Sequence, residues 1–290
     1  IKMKHIKTLL ILLLITSSAF SQNKKLEESV LECHYRLVMH KDTVSKSNPV
    51  EDDMVLRIGN TTSQFFSRHT FYHDSLWADP DGRKIAEDRS IESLMSFDNP
   101  NSRPFGSRTT KDFLYKNYPK GKMTTFGYNF IKVNFFYEED YAPQEWIVGD
   151  STKQILGYTC KKAACDFRGR HWTAWFAEDI PIKEGPWKLN GLPGLILEAY
   201  DAKMDYHYTA TSMDKNPVSS VILYKFENKP KIKVERKIYT HSLEQFLMGT
   251  PAEDLEIIQE SIKKGIPQNY MSRRSRKLRY DFLERDHLTR

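Results

Sequence analysis

Histidine and carboxylate side chains are the first place to look for acid–base or metal chemistry in this sequence. His69 and His73 are four residues apart, and Asp74 directly follows the second. An imidazole beside a carboxylate can act as a general base that the carboxylate orients. Phe71 and Tyr72, however, favour a strand rather than a helix that would place both histidines on one face. Because no HxH or HExxH motif occurs, we predict no metal, no cofactor and no catalytic residue. The alternative is metal or acid–base chemistry at His69 and His73.

The three cysteines allow one disulfide and one spare thiol in an oxidising compartment. Cys160 and Cys165 are five residues apart, so on one strand they face opposite sides and cannot bridge each other. A bridge must then use Cys33, and we predict the pair Cys33–Cys160 because both lie in strand-like patterns. Catalysis by Cys160 or Cys165 with His171 is the less favoured alternative.

Other patterns for nucleophilic or glycosidic chemistry are weak. The sequence has no Gly-x-Ser-x-Gly motif for a serine nucleophile. Acidic runs at 138–140 and 178–179 fall in predicted loops, where carboxylates are typical of a solvated surface. These observations favour a protein without enzymatic activity.

Tryptophans form the most distinctive apolar group. Trp172 and Trp175 lie on one predicted strand with side chains on opposite faces, and Trp187 follows in a loop. One interpretation is that they are packing residues. The other is an apolar concave face that binds a lipid, a peptide or a partner protein.

A glycine- and proline-rich run follows the tryptophan strand. It begins with Gly185-Pro186 and continues with Gly191-Leu192-Pro193-Gly194 before the apolar Leu195 and Ile196. Pro193 fixes its own φ, and we predict a type II turn in which Gly194 takes a positive φ. The apolar run after it predicts a strand buried on both faces. A phosphate loop is not expected, because no helical pattern follows.

These residues carry a resemblance to the GLPGLI family, named for the hexapeptide that stands here at 191–196. The blocks Ile155 to Ala163, Gly169-Arg170, Trp172 to Phe176 and Ile180-Pro181 also resemble that family. Membership would imply a secreted Bacteroidetes protein. The family has no established activity, so the resemblance assigns no catalytic residues.

The first residues have the pattern of an export signal. A short basic region begins at Met3, residues 8–15 are apolar, and small residues at Ala19 and Ser21 predict cleavage before Gln22. The apolar segment is too short for a membrane span. We therefore expect export through a cleavable signal peptide to the periplasm or cell envelope.

Charge is concentrated near the C-terminus. Residues 261–290 hold nine Lys and Arg against three Asp and Glu, which equals the whole chain's net charge of +6. A basic tail can contact lipid headgroups or an acidic protein surface, or remain solvated. An exported protein is a poor candidate for binding nucleic acid. We predict a signal peptide at 1–21, one β-rich domain at 22–265 and a basic tail at 266–290.

The periodicity predicts a mainly β, α+β fold. Alternating segments along the chain indicate more than seven strands with little helix between them, and hence a mostly antiparallel sheet. Arg168-Gly169-Arg170 predicts the turn between two of these strands. Asp79-Pro80-Asp81-Gly82 predicts a turn before a helix at 83–96. A capping box at Thr250 to Glu253 predicts a C-terminal helix that Gly265 ends. The expected architecture is a large curved antiparallel sheet or half-open barrel with one or two covering helices.

The combined prediction is a non-enzymatic periplasmic or envelope-associated protein that holds a lipid or peptide on a concave sheet face. Two alternatives remain: an accessory subunit of an outer-membrane transporter or assembly complex, and a metal-dependent hydrolase or peptidase.

Overall fold

The computed structural model describes residues 24–40, 49–95, 110–128, 134–223, 231–240, 243 and 283–286. The predicted signal peptide at 1–21, the predicted C-terminal helix and all of the basic tail except 283–286 lie outside these residues.

The described residues form fourteen strands and two long helices, and residues 236–240 add a short helical segment. The first half of the chain contains β1 (Lys24–Glu28), β2 (Leu31–Met39), β3 (Val50–Ile58), β4 (Ser63–Ser67), α1 (Arg68–Ala78), α2 (Pro80–Met95), β5 (Phe113–Lys116), β6 (Lys122–Tyr128) and β7 (Asn134–Asp140). The second half contains β8 (Ile147–Ile155), β9 (Tyr158–Phe167), β10 (Arg170–Ala177), β11 (Leu195–Asp201), β12 (Tyr206–Asp214), β13 (Ser220–Leu223) and β14 (Lys231–Lys233).

Twelve of these strands form one sheet in the order β14-β7-β6-β5-β4-β3-β2-β12-β11-β10-β9-β8, while β1 pairs with β13 separately. All neighbours in the large sheet are antiparallel except β14 and β7, which are parallel. The sheet is not closed into a barrel. The predicted mainly β fold with a large sheet and few helices is confirmed.

Side-chain alternation explains why one face of the sheet is the core. On β2, Leu31, Cys33, Tyr35 and Leu37 are buried, and the residues between them are more exposed. This period of two is the pattern of a strand with one buried face. The core of the second half of the sheet lies against the loop between β10 and β11, which contributes Trp187, Leu189 and Leu192 to it.

A tight turn with left-handed backbone connects β9 to β10. Arg168 and Gly169 have φ values of 54° and 73° and join β9 to β10. Two consecutive residues with positive φ match the type I′ turn, whose twist suits an antiparallel hairpin. The predicted turn at 168–170 is therefore confirmed.

Two local predictions were wrong because helix-capping signals outweighed propensity. Residues 69–73 lie on α1 rather than on a strand, and the Ser67 side chain caps this helix by accepting a hydrogen bond from the Thr70 amide at 3.2 Å. The predicted turn at 79–82 instead begins α2, where the Gly82 amide donates to Asp79 at 2.7 Å and Pro80 occupies the first turn. Among the described residues, no helix is long and apolar enough to cross a membrane.

Candidate functional site

A cleft of about 330 Å³ lies where the end of β7 approaches the β9–β10 turn. Its lining consists of Met123 on β6, Glu139 and Asp140 on β7, residues 142–145 of the following loop, and residues 166–168. Four of these residues are acidic and one is basic: Glu139, Asp140, Glu145, Asp166 and Arg168. The cleft therefore carries an excess of negative charge. The Phe167 ring packs against Trp187, and the Arg168 guanidinium lies over it at 5.1 Å.

Two rim carboxylates, Asp140 and Asp166, contact a lysine and a histidine side chain respectively. Lys122 donates to Asp140 at 2.6 Å across the β6–β7 pair, and this hydrogen bond lowers the pKa of the Asp140 carboxyl. Asp166 lies directly opposite His171 on the β9–β10 hairpin, with 2.8 Å between Oδ1 and Nδ1. A histidine oriented by a carboxylate is a typical general base. From the sequence, His171 was expected only as a catalytic partner of Cys160 or Cys165.

We call residues 139–145 and 166–168 the cleft wall. An ion cluster lies beneath it. Glu139 forms ion pairs with both Arg168 and Lys188, and the Lys188 ammonium is 2.6 Å from Glu284 Oε1. Lys188 is almost fully buried and also donates to the Tyr137 hydroxyl at 3.0 Å. Burial disfavours ionised Glu284, but Lys188 and then Arg236 and Arg168 outweigh it, so the pKa of Glu284 is lowered.

The glycine-rich run forms the loop that supports this wall. Gln144 accepts a hydrogen bond from the Asn190 amide at 2.8 Å, and Trp146 Nε1 donates to the Asn190 carbonyl, also at 2.8 Å. Gly191 has φ 95°, and a Cβ there would lie 2.4 Å from Pro143 Cβ. The loop and the cleft segment are thus packed in direct contact.

A second buried cation, Lys116 on β5, holds the same loop from below. Its ammonium donates to Glu184 Oε2 and the Gly185 carbonyl, both at 2.8 Å, and to the Leu189 carbonyl at 2.9 Å. The Tyr141 hydroxyl occupies the other Glu184 oxygen at 2.7 Å. Burial lowers the pKa of Lys116, although Glu184 opposes the shift. All three ammonium protons are used, so this lysine has a structural role.

The prediction of a type II turn with a positive φ at Gly194 was wrong. Positive φ occurs at Gly191, not at Gly194. Gly194 instead lies against the end of β10, where a Cβ would be 2.1 Å from the Ala177 carbonyl oxygen. Gly185 has a related constraint, since a Cβ there would be 2.7 Å from Ile196 Cδ1. The predicted strand after the turn is β11, where Leu195, Ile196 and Leu197 are buried as expected.

The structure places Trp172, Trp175 and Trp187 in the core rather than on a ligand face. They are 0%, 9% and 8% exposed. The rings of Trp172 and Trp187 pack 5.5 Å apart, and the Lys153 ammonium covers the Trp175 ring at 4.5 Å. The three tryptophans are therefore packing residues, and the prediction that they form an apolar ligand-binding face was wrong.

The predicted Cys33–Cys160 disulfide is absent, since Cys33, Cys160 and Cys165 are all free and buried. Cys33 lies on β2 and Cys160 on β9, and three strands separate these two in the sheet. Burial raises the thiol pKa values to about 12 for Cys33, 11 for Cys160 and 12 for Cys165. Such thiols are poor nucleophiles. Cys165 lies opposite Trp172 in the β9–β10 strand pair and faces the core, whereas the His171 side chain is exposed.

The His69 and His73 pair does not form a metal site. His69 contacts Asp53 at 3.0 Å, whereas His73 contacts Asp74 at 3.0 Å and accepts a hydrogen bond from Trp77 Nε1 at 3.1 Å. Both His73 nitrogens are therefore occupied. The part of the chain that the structure describes contains no group of three or more potential metal ligands.

A family model matches the part of the chain that contains most of the cleft. Residues 136–240, which include most of the cleft and all of the glycine-rich loop, match the family model for the N-glycanase peptide, N-terminal domain. This match and the burial of the tryptophans overturn the prediction of a non-enzymatic protein that holds a lipid or peptide. No curated protein matches the chain.

Two solved structures of PNGF-II are similar to the chain. One, in space group P21, is 16% identical with a TM-score of 0.49, and the match covers 74% of this chain and 33% of that one. The other, in space group C2, is 14% identical with a TM-score of 0.46, and the match covers 73% and 32%. The chain spans about a third of the length of these PNGF-II chains.

Proposed function

We propose that this protein acts in the enzymatic hydrolysis of N-glycans from peptides, and that its acidic cleft holds the glycosylated substrate. The observation that carries the proposal is the match of residues 136–240 to the N-terminal domain of an N-glycanase. The matched segment contains most of the residues that line the cleft.

The chemistry of the cleft supports a sugar ligand. Carboxylates such as Glu145 and Asp166 accept hydrogen bonds from hydroxyl groups, as a sugar would offer. The pair of His171 with Asp166 at the rim is the arrangement best suited to proton transfer there.

The export signal and the GLPGLI resemblance stay predictions from the sequence. They fit this proposal because an exported protein would meet glycosylated proteins outside the cytoplasm.

Binding and release of a neutral N-glycopeptide test the proposal together. We expect the protein to bind the glycopeptide more tightly than the same peptide without its glycan, in calorimetry, and to release free glycan detectable by mass spectrometry. Asp166→Asn with Glu145→Gln should weaken binding about tenfold, because two hydrogen-bond acceptors lose their charge. Asp150→Asn, on the exposed strand β8, is the matched control. Equal affinity for both peptides and no glycan release would contradict the proposal.

A further inference from the structure

Residues 283–286, which we call the strap, are remote in sequence from the cleft but pack against its wall. The Arg285 amide donates to the Arg168 carbonyl at 2.8 Å, and Arg170 Nε donates to the Leu283 carbonyl at 2.9 Å. Gly169 makes this approach possible, because a Cβ there would lie 2.8 Å from the Asp286 amide. Leu283 also packs against the core.

The acidic residues of the strap share their cations with the cleft. Arg168 pairs with Glu139, which lines the cleft, and donates to Asp286 of the strap at 3.1 Å. Lys188 is shared in the same way between Glu139 and Glu284. Two cations are therefore distributed over three carboxylates, and the strap supplies two of the three.

Other contacts fix the strap in place independently of the cleft. Arg236 donates to Glu284 at 2.6 Å and to both carboxylate oxygens of Asp286 at 3.0 and 2.7 Å. Arg285 donates to Asp205 at 3.2 Å. Burial is the largest influence on Asp286 and raises its pKa, but Arg236 and Arg168 outweigh it and the pKa is lowered.

We propose that the strap regulates the cleft: while docked, it holds Arg168 against the cleft wall and Lys188 beneath it, and when it undocks the wall loosens and ligand affinity falls. The physical reason is charge balance. Without Glu284 and Asp286, the two cations share the single carboxylate of Glu139, and Lys188 keeps its hydrogen bond to Tyr137. A buried cation with too little counter-charge moves toward solvent or other acceptors. The effect on substrate rests on the proposed function, whereas the effect on the wall does not.

The test is the double substitution Glu284→Gln and Asp286→Asn in the full chain. Hydrogen–deuterium exchange in peptides covering 139–145 and 168–170 should become about tenfold faster, because the wall opens more often. Affinity for the neutral glycopeptide should fall about fivefold or more, in the range of typical coupling between sites. Glu87→Gln with Asp88→Asn removes the same charge from the exposed face of α2 and should change neither quantity.

Each outcome decides the inference. Unchanged exchange at 139–145 and 168–170 in the strap variant would overturn it, whether or not the protein binds glycans. Faster exchange with unchanged glycopeptide affinity would overturn the regulation of binding. A wild-type protein that shows no preference for the glycopeptide would refute the proposed function, while the exchange result still tests the strap. If the double variant does not fold, Asp286→Asn alone is measured, since this side chain is the more exposed of the two.

Discussion

Gly194 occupies a place where the end of β10 leaves no room for a side chain. A Cβ at this position would be 2.1 Å from the Ala177 carbonyl oxygen and 2.5 Å from its carbon. These neighbours are backbone atoms of a paired strand, so they cannot move aside as a flexible side chain would. The glycine is therefore required by close packing rather than by backbone conformation.

Gly194→Ala should destabilise the protein by about 3 kcal/mol, at the upper end of the cost of overpacking a core site. Chemical denaturation with urea measures this as a lower unfolding midpoint. Gly149→Ala is the matched control, since the nearest atom to its Cβ is the Lys162 carbonyl oxygen at 3.9 Å. Equal midpoints for the two variants would show that the backbone at Ala177 yields to the added methyl group.

At the scale of the element, a cross-strand ion pair joins β2 to β3. Glu32 lies directly opposite Arg57, and Arg57 Nε donates to Glu32 at 2.7 Å. Burial raises the pKa of Glu32, but hydrogen bonds from His34, Arg57 and Ser219 together outweigh it and lower the pKa to about 2. Since the pKa is lower in the folded state than the ordinary value of 4.5, the pair stabilises the fold fully above about pH 4.5.

This stabilisation is lost as the pH falls from 4.5 towards 2, where Glu32 becomes protonated in the folded protein. Glu32→Gln should remove the contribution of this residue to the acid dependence of stability, on the order of 1 kcal/mol after allowance for solvent screening. Urea denaturation at several pH values measures it. Glu51→Gln alters the exposed pair with Arg36 between the same strands and should keep the wild-type acid slope. An unchanged slope in Glu32→Gln would contradict the assignment.

At the scale of the whole molecule, Lys116 connects strand β5, in the first half of the large sheet, to the loop before β11, in the second half. Its three hydrogen bonds reach residues 68 to 73 positions away in the sequence. The loop in turn supports the cleft wall through Gln144 and Lys188. A single buried cation therefore couples distant parts of the chain.

Lys116→Met should lower the free energy of unfolding by about 3–5 kcal/mol, because it leaves Glu184 and two carbonyl groups without their shared donor. Thermal and urea unfolding monitored by tryptophan fluorescence measure the loss. Lys122→Met removes a lysine from an exposed pair and should leave stability nearly unchanged. A similarly small effect for both lysines would mean that the loop does not depend on Lys116.

The sequence by itself determined the mainly β fold, the antiparallel pairing and the turn at 168–170, because alternation with period two and turn residues are local signals. The glycine-rich run also predicted the buried strand β11 that follows it. It did not predict that Gly194 is required by close contact with the Ala177 backbone. Helix α1 was missed because its aromatic residues favour strands, whereas the capping contact of Ser67 decides the local structure.

Only the tertiary structure decided the site. Glu139, Arg168, Lys188 and Glu284 are far apart in the sequence and have no common motif, so their ion cluster depends on which strands and loops meet. Burial likewise decided that the three tryptophans are core residues, and the order of the strands keeps Cys33 and Cys160 apart. Periodicity predicts the face of a strand on which a side chain lies, but long-range packing determines what covers that face.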